Sequence, residues 1–280
     1  MVNFNGTIVA NSTNQVSYAN RGLNYGDALF ETLRVSAGKL FFWEDHYFRL
    51  MASMRILRME IPMNFTMEYL EEEVLKIIPA SEIKETFRVK IVVWRDEGGK
   101  YTPETNDVSF LMTSEKLESP FYTLATDFYE VELFKDHYVT SGLLSTLKSN
   151  NRVLNVLGSI YAKENDYHNC LLLNEKKQVV EALNGNIFLV NGYKIKTPPL
   201  ADGCLNGIMR RQIIKILAEF PDYILEEESV SPFELQKADE IFITNVIVGI
   251  QPISKYRKKE YNHKVAKEFM GKLNMKARLG

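Results

Sequence analysis

A primary amine at Lys148, a carboxylate at Glu181 and a guanidinium at Arg49 are the groups from which a chemical reading of this chain starts. Taken singly, each has an ordinary explanation. A lone lysine is a solvated surface charge. Glu181 follows Val179 and Val180 in a strand-like run, where an acid is usually an edge or outward-facing charge. Arg49 lies between Phe48 and Leu50, as a surface arginine with its stem packed down would. Three further features add donors. Gly207-Ile208-Met209-Arg210 opens a helix, whose free N–H groups and dipole favour an anion. Thr244-Asn245 ends a strand at a turn, where hydroxyl and amide can satisfy backbone groups. Arg95 with Gly98-Gly99 is either an exposed loop or a bidentate clamp for a carboxylate. One amine, one carboxylate, one arginine and one helix N-terminus are together what a pyridoxal phosphate site requires. The amine forms a Schiff base, a carboxylate keeps the pyridine nitrogen protonated, and arginine and backbone donors take the phosphate.

The elements that must position these groups can be traced by period. Residues 29–35 and 39–43 are strand-like, and Ser36-Ala37-Gly38 turns between them. Tyr47, Leu50, Met51, Met54 and Leu57 recur at helical spacing, predicting a helix over 43–57; a second covers 66–78 and stops near Pro79. Strands are expected at 87–94 and 107–113, with a long polar loop between them. The polar, Pro-ended stretch 115–121 is expected to link a small N-terminal α/β domain (1–114) to a larger C-terminal domain (122–280) carrying Lys148. There the spacing predicts a strand over 122–131 and a helix over 151–165. Short strands follow at 170–173, 178–182 and 186–190, with a hairpin at Asn191-Gly192. A helix is expected over 207–220, a capping box with proline at Ser231-Pro232-Phe233-Glu234, a strand over 240–245 and a basic amphipathic helix over 261–278. Mixed strands and helices in two segments give an α/β (mixed α+β) class.

Composition removes other readings. The chain has 280 residues and a net charge of −2, so no global field points to nucleic acid or an acidic membrane. Two cysteines, Cys170 and Cys204, exclude a disulfide framework and a four-cysteine zinc site, and are read as buried thiols. Four histidines show no ligand spacing, so no metal is expected. The opening MVNFNGTIVANSTN has no charged n-region before an apolar stretch, and no apolar run reaches the ~20 residues of a membrane span. A cytoplasmic protein without membrane or nucleic-acid partners is expected.

Six motifs in order, over residues 3–255, resemble the fold type IV pyridoxal phosphate enzymes, the class IV aminotransferase family with a D-amino acid aminotransferase-like fold. RGLNYGDALFETLR at 21–34 resembles the family's RGxxYGDGxFExxR, and HYFRL at 46–50 its HxxRL. Lys148 sits where the family has its Schiff-base lysine. EALNGNIF at 181–188 resembles ExxxxNxF; TPPL at 197–200 with LNGIMR at 205–210 resembles the phosphate-cup motif; DEIFITN at 239–245 resembles the last core strand. The resemblance implies pyridoxal 5'-phosphate held by Lys148, Arg49, Glu181, the amides of Ile208 and Met209, Thr244 and Asn245. It implies Lys148 and Thr32 in catalysis, and Tyr25, Arg95 and Lys100 toward a small amine substrate. It also implies two domains and a homodimer.

Within the family, Lys148-Ser149-Asn150-Asn151-Arg152 resembles the KxxNR of 4-amino-4-deoxychorismate lyases, and NGIMR their phosphate turn. Branched-chain transaminases have tyrosine five residues after the lysine, where this chain has Val153. The loop 95–101 resembles the lyases' RGxGGRGY, with Asp96 for the first glycine and Lys100 for the second arginine. The expected reaction is therefore the lyase's, giving 4-aminobenzoate and pyruvate. The alternatives are transamination of branched-chain or D-amino acids, and a non-catalytic interaction protein on the same scaffold. Lys148, Glu181 and Arg49 together count against the last.

Overall fold

The computed structural model describes residues 1–10 and 16–279. The opening stretch read above runs in part, over 11–14, outside the described residues. Contacts divide the chain into two compact units, Met1–Pro120 with Lys148–Asn151, and Phe121–Leu147 with Arg152–Leu279.

The first unit contains β1 (Val2–Phe4), β2 (Thr7–Val9), α1 (Arg21–Tyr25), β3 (Ala28–Ser36), β4 (Lys39–Leu40), α2 (Trp43–Ile56), α3 (Met67–Lys76), β5 (Thr86–Arg95) and β6 (Val108–Leu117). Its strands form one antiparallel sheet in the order β2-β1-β6-β5-β3-β4. Ser36 pairs with Lys39 across a two-residue turn, with Ala37 and Gly38 both at positive φ, the geometry that matches strand twist. Alternation then sorts the strands' faces. On β5, Val89, Ile91 and Val93 are buried, whereas Arg88, Lys90 and Val92 look to the opposite face. Leu50, Met54, Leu70 and Val74 of α2 and α3 are buried as well, each worth about 1.5–3 kcal/mol over exposure.

Two expectations fail in this unit. The strand expected to run to Trp43 ends at Leu40, because Trp43 opens α2. The expected linker at 115–121 is strand as far as Leu117. Glu115 and Lys116 pair with Arg88 and Phe87 of β5, and their polar side chains simply face solvent. A third difference concerns Lys148, expected in the C-terminal domain. The Phe30 N–H donates to the Lys148 carbonyl at 2.8 Å and the Asn150 N–H to the Ala28 carbonyl at 3.0 Å, so Ser149 forms an isolated bridge to Leu29 of β3 and ties 148–150 to the first unit.

The second unit contains β7 (Glu130–Val139), α4 (Val153–Glu164), β8 (Asn169–Asn174), β9 (Val179–Ala182), β10 (Asn186–Asn191), β11 (Lys194–Thr197), α5 (Ile208–Leu217), β12 (Ile224–Glu227), α6 (Pro232–Leu235), β13 (Glu240–Asn245), β14 (Gly249–Pro252), β15 (Lys255–Tyr256), β16 (Lys259–Glu260) and α7 (Lys264–Leu279). Two five-stranded sheets form, β12-β11-β10-β13-β14 and β16-β15-β7-β8-β9. Leu171 and Leu173 of β8 share one core with Ile187 and Leu189 of β10 and Ile241 and Ile243 of β13, so the sheets pack face to face. The alternate residues Cys170 and Leu172 join Ala162 of α4 on the far side. Both faces are covered, which is why these strands read as unbroken apolar runs. Buried Glu240 accepts from the Val265 and Ala266 N–H groups and caps α7. Both cysteines are free and buried, and burial pushes each thiol up to about 12. The strand expected over 122–131 begins only at Glu130, where the parallel partner β8 starts.

Candidate active site

In the first unit, β3 and α2 build a charged cluster. Glu31 is 2% exposed. Its two oxygens accept from the Arg49 Nε at 2.7 Å and Nη2 at 2.6 Å, and His46 Nδ1 lies 2.7 Å from Oε2. His46 and Arg49 are three residues apart on α2, so both reach the same strand residue. Burial alone would raise the Glu31 pKa, but the Arg49 and His46 charges and hydrogen bonds outweigh it and hold the carboxyl at about 2. Burial lowers the His46 pKa against the pull of Glu31, and Arg49 and Lys148 lower it further. His46 Nε2 is buried with no hydrogen-bond partner among the described residues.

The opposite face of β3 carries Phe30, Thr32 and Arg34. Lys90 of β5 stands directly opposite Thr32 in the antiparallel register. The Lys148 amine lies 4.5 Å from the Phe30 ring centroid and the Lys90 amine 5.0 Å from it. Two lysine amines thus lie over one aromatic ring, on the face of β3 that also carries Thr32. Burial, then Arg88, lowers the Lys90 pKa. Among the described residues no carboxylate pairs with Lys90. Sequence reasoning missed Lys90, although a lysine inside the apolar run VKIVVW was a usable signal.

At the end of β5 the charges are saturated. Arg95 donates from Nε to Asp27 Oδ2 at 2.9 Å, from Nη1 to the Arg58 carbonyl at 3.1 Å and to Asn106 Oδ1, and from Nη2 to the Leu57 carbonyl at 2.6 Å. Arg21 donates to the same Asp27 oxygen at 3.0 Å. Its guanidinium stacks on Tyr25 at 4.9 Å, and the Tyr25 and Tyr101 rings lie 5.9 Å apart. Lys100 is exposed on the loop. α1 ends at Gly26 with φ 66°, where a Cβ would come within 2.2 Å of Asn151 Oδ1; only glycine fits.

In the second unit, β9, β10, β13 and the start of α5 bring the remaining predicted residues together. Glu181 Oε2 accepts from the Leu205 N–H at 2.9 Å, and Asn186 Nδ2 donates to the Leu205 carbonyl at 2.8 Å. Leu205 is therefore held at both ends of its backbone, which fixes the approach to α5. A Cβ at Gly207 would lie 2.0 Å from Asn186 Oδ1, so the N-cap of α5 must be glycine. Ile208 and Met209 open the helix and are 1% exposed. Thr244 pairs in register with Asn186, and its hydroxyl is buried with no hydrogen-bond partner among the described residues. Asn245 Oδ1 accepts from the Ile247 and Val248 N–H groups at 3.0 and 3.1 Å and shapes the turn after β13. Arg210 ties α5 down through the Pro198 carbonyl at 2.9 Å and Glu227 at 2.6 Å. Among the described residues, no group of three or more His, Cys, Asp or Glu side chains could hold a metal ion, and no helix is long and apolar enough to cross a membrane.

The model of the amino-transferase class IV family matches residues 28–256, and the chain belongs to that family. A Methanocaldococcus jannaschii protein provisionally named a branched-chain-amino-acid aminotransferase is 28% identical over 97% of this chain and 93% of its own length. The D-alanine aminotransferase of Staphylococcus epidermidis is 28% identical over 90% of this chain and 87% of its own. Among solved structures, the 4-amino-4-deoxychorismate lyase of Pseudomonas aeruginosa superposes with a TM-score of 0.83, at 25% identity, over 98% of both chains.

Class IV enzymes work with pyridoxal 5'-phosphate, and the donor set here fits that group. The start of α5 and the end of β13 have what an anion needs: a glycine-opened helix N-terminus, the Thr244 hydroxyl, buried with no hydrogen-bond partner among the described residues, and a backbone turn held by side chains. Glu181 supplies a carboxylate buried to 6% exposure.

Proposed function

We propose that the chain is a 4-amino-4-deoxychorismate lyase, releasing 4-aminobenzoate and pyruvate, with pyridoxal 5'-phosphate carried on Lys148. The observation that carries this reading is Lys90 opposite Thr32 on the face where the Lys148 amine sits. The substrate is a dianion whose leaving group bears its own carboxylate, so a cation beside a proton-donating hydroxyl suits its departure.

The cofactor, when bound, supplies an electron sink for the carbanion at the amine-bearing carbon. Lys148 takes the proton from that carbon as general base. Glu181 holds the proton on the pyridine nitrogen. Arg49, the Ile208 and Met209 amides, Thr244 and Asn245 bind the phosphate. Thr32 delivers a proton as the enolpyruvyl group leaves and the ring becomes aromatic; the enol then becomes pyruvate. Lys90 and Lys100 hold the two carboxylates, and Tyr25 flanks the substrate. The exposed Val153, Val156 and Ile160 of α4 support a homodimer, which light scattering would reveal as twice the chain mass. Two reduced buried cysteines agree with a cytoplasmic location.

Transamination of branched-chain or D-amino acids is the second reading, supported by the names of the two relatives above. The two are separated by the need for an acceptor. The lyase turns over 4-amino-4-deoxychorismate with no added 2-oxo acid. An enzyme that is silent on that substrate but converts amino acids only when 2-oxoglutarate is supplied is a transaminase.

A further inference from the structure

Arg95 matches the arginine that the family resemblance turns toward substrate, yet its guanidinium is 6% exposed and all three of its nitrogens donate within the first unit. We infer that Arg95 is a positioning residue: with Asp27 and Arg21 it forms a frame that fixes the loop 96–107 and so aims Lys100. The inference rests on the reading of Lys100 as a substrate contact.

Asp27 is the hub. One of its oxygens receives both Arg21 Nε and Arg95 Nε, so a single carboxylate balances two buried guanidiniums. Arg95 runs from that hub to the Leu57 and Arg58 carbonyls after α2 and to Asn106 at the far end of the loop. Arg21 runs the other way. Its Nη1 donates to the Gly98 carbonyl at 3.0 Å and the Lys100 carbonyl at 2.7 Å. The loop's own backbone closes the frame, with the Asp96 N–H on the Asp107 carbonyl at 2.9 Å and Gly99 bridged to Pro103. Gly99 has φ 71°, and a Cβ there would meet the Thr102 carbonyl at 2.1 Å. The Lys100 backbone is thus tied by its carbonyl while its side chain stays exposed. Neither arginine has the free planar edge that a bidentate carboxylate needs.

The test pairs a kinetic readout with a structural one on the cofactor-loaded protein. Trypsin needs an extended, mobile stretch of backbone, so the rate of cleavage after Lys100 reports loosening of the loop. In Asp27→Asn and Arg95→Lys, cleavage at Lys100–Tyr101 should accelerate about tenfold or more, since charge-assisted hydrogen bonds are lost. KM for 4-amino-4-deoxychorismate should rise by a similar factor while kcat stays within about twofold. Arg21→Lys, which keeps the charge and loses the fork, should behave the same way should the first two fail to fold. Lys100→Ala should raise KM alone, and combining it with Asp27→Asn should add little further. Folded variants cut no faster than wild type would overturn the frame. A large fall in kcat with KM unchanged would put Arg95 at the reacting atoms and overturn its positioning role. An unchanged KM in Lys100→Ala, with cleavage accelerated in the frame variants, would remove the reading of Lys100 and leave the frame standing.

Discussion

The end of β5 and its middle carry positive charge in opposite circumstances. At the end, Arg95 and Arg21 share Asp27 and bond to carbonyls from two segments. In the middle, Lys90 lies over the Phe30 ring with no carboxylate among the described residues to meet it, and Lys148 lies over the same ring. A buried guanidinium with every nitrogen engaged is architecture: removing its partner would leave an uncompensated charge, at a cost of about 3–5 kcal/mol. A half-buried ammonium with no carboxylate partner among the described residues is left able to meet an arriving anion. The saturated region frames a loop, and Lys90 is where the proposed dianionic substrate would find a counter-charge.

The contrast can be broken most decisively at Lys148. Lys148→Ala removes the amine proposed to carry the cofactor and move the proton, so turnover should fall by about 10³-fold or more, while the circular dichroism spectrum is retained. Lys90→Met comes next. It keeps the stem against Phe30 and removes only the charge. KM should rise about tenfold to a hundredfold in steady-state assays with a small change in melting temperature, whereas Arg95→Met should lower the melting temperature markedly. Reversed outcomes at the two positions would invert the comparison. Arg49→Ala sharpens it from α2. Glu31 loses a buried partner, and cofactor affinity should weaken about tenfold in a fluorescence titration.

A further effect is on pH. Glu31 ionises at about 2 in the fold against an ordinary 4.5, so its contribution is complete above 4.5 and is lost as pH falls toward 2. That amounts to about 3 kcal/mol. Burial lowers the His46 pKa below its ordinary 6.5, so acid also favours the unfolded chain from about 6.5 downward. Denaturant melts of wild type and Glu31→Gln between pH 3 and 7 should show a steeper slope below 4.5 in wild type than in the variant.

Local patterns made much of this legible. The 3.6-residue recurrence in α2, the capping box at Ser231 and the Asn191-Gly192 turn between β10 and β11 all lie within one element or one hairpin. The order of motifs brought Glu181, Ile208, Met209 and Thr244 into view as candidate site residues, and the second unit places them near Leu205 and Asn186. What stayed hidden depends on partners far away in sequence. Arg95 and Asp27 are 68 residues apart, and type alone does not tell a clamp from a frame. Residues 148–151 look like a strand-to-helix junction until β3 supplies its hydrogen bonds. Lys90 stood out in sequence only as a lysine inside an apolar run, and its place opposite Thr32 needed the strand register.

The most direct measurement gives purified, cofactor-loaded protein 4-amino-4-deoxychorismate without any added 2-oxo acid and follows 4-aminobenzoate and pyruvate together. The expected result is equimolar formation of both by the wild type and of neither by Lys148→Ala. Wild-type protein that holds the cofactor yet forms neither product, or a Lys148→Ala variant that keeps the wild-type rate, would contradict the proposed reaction.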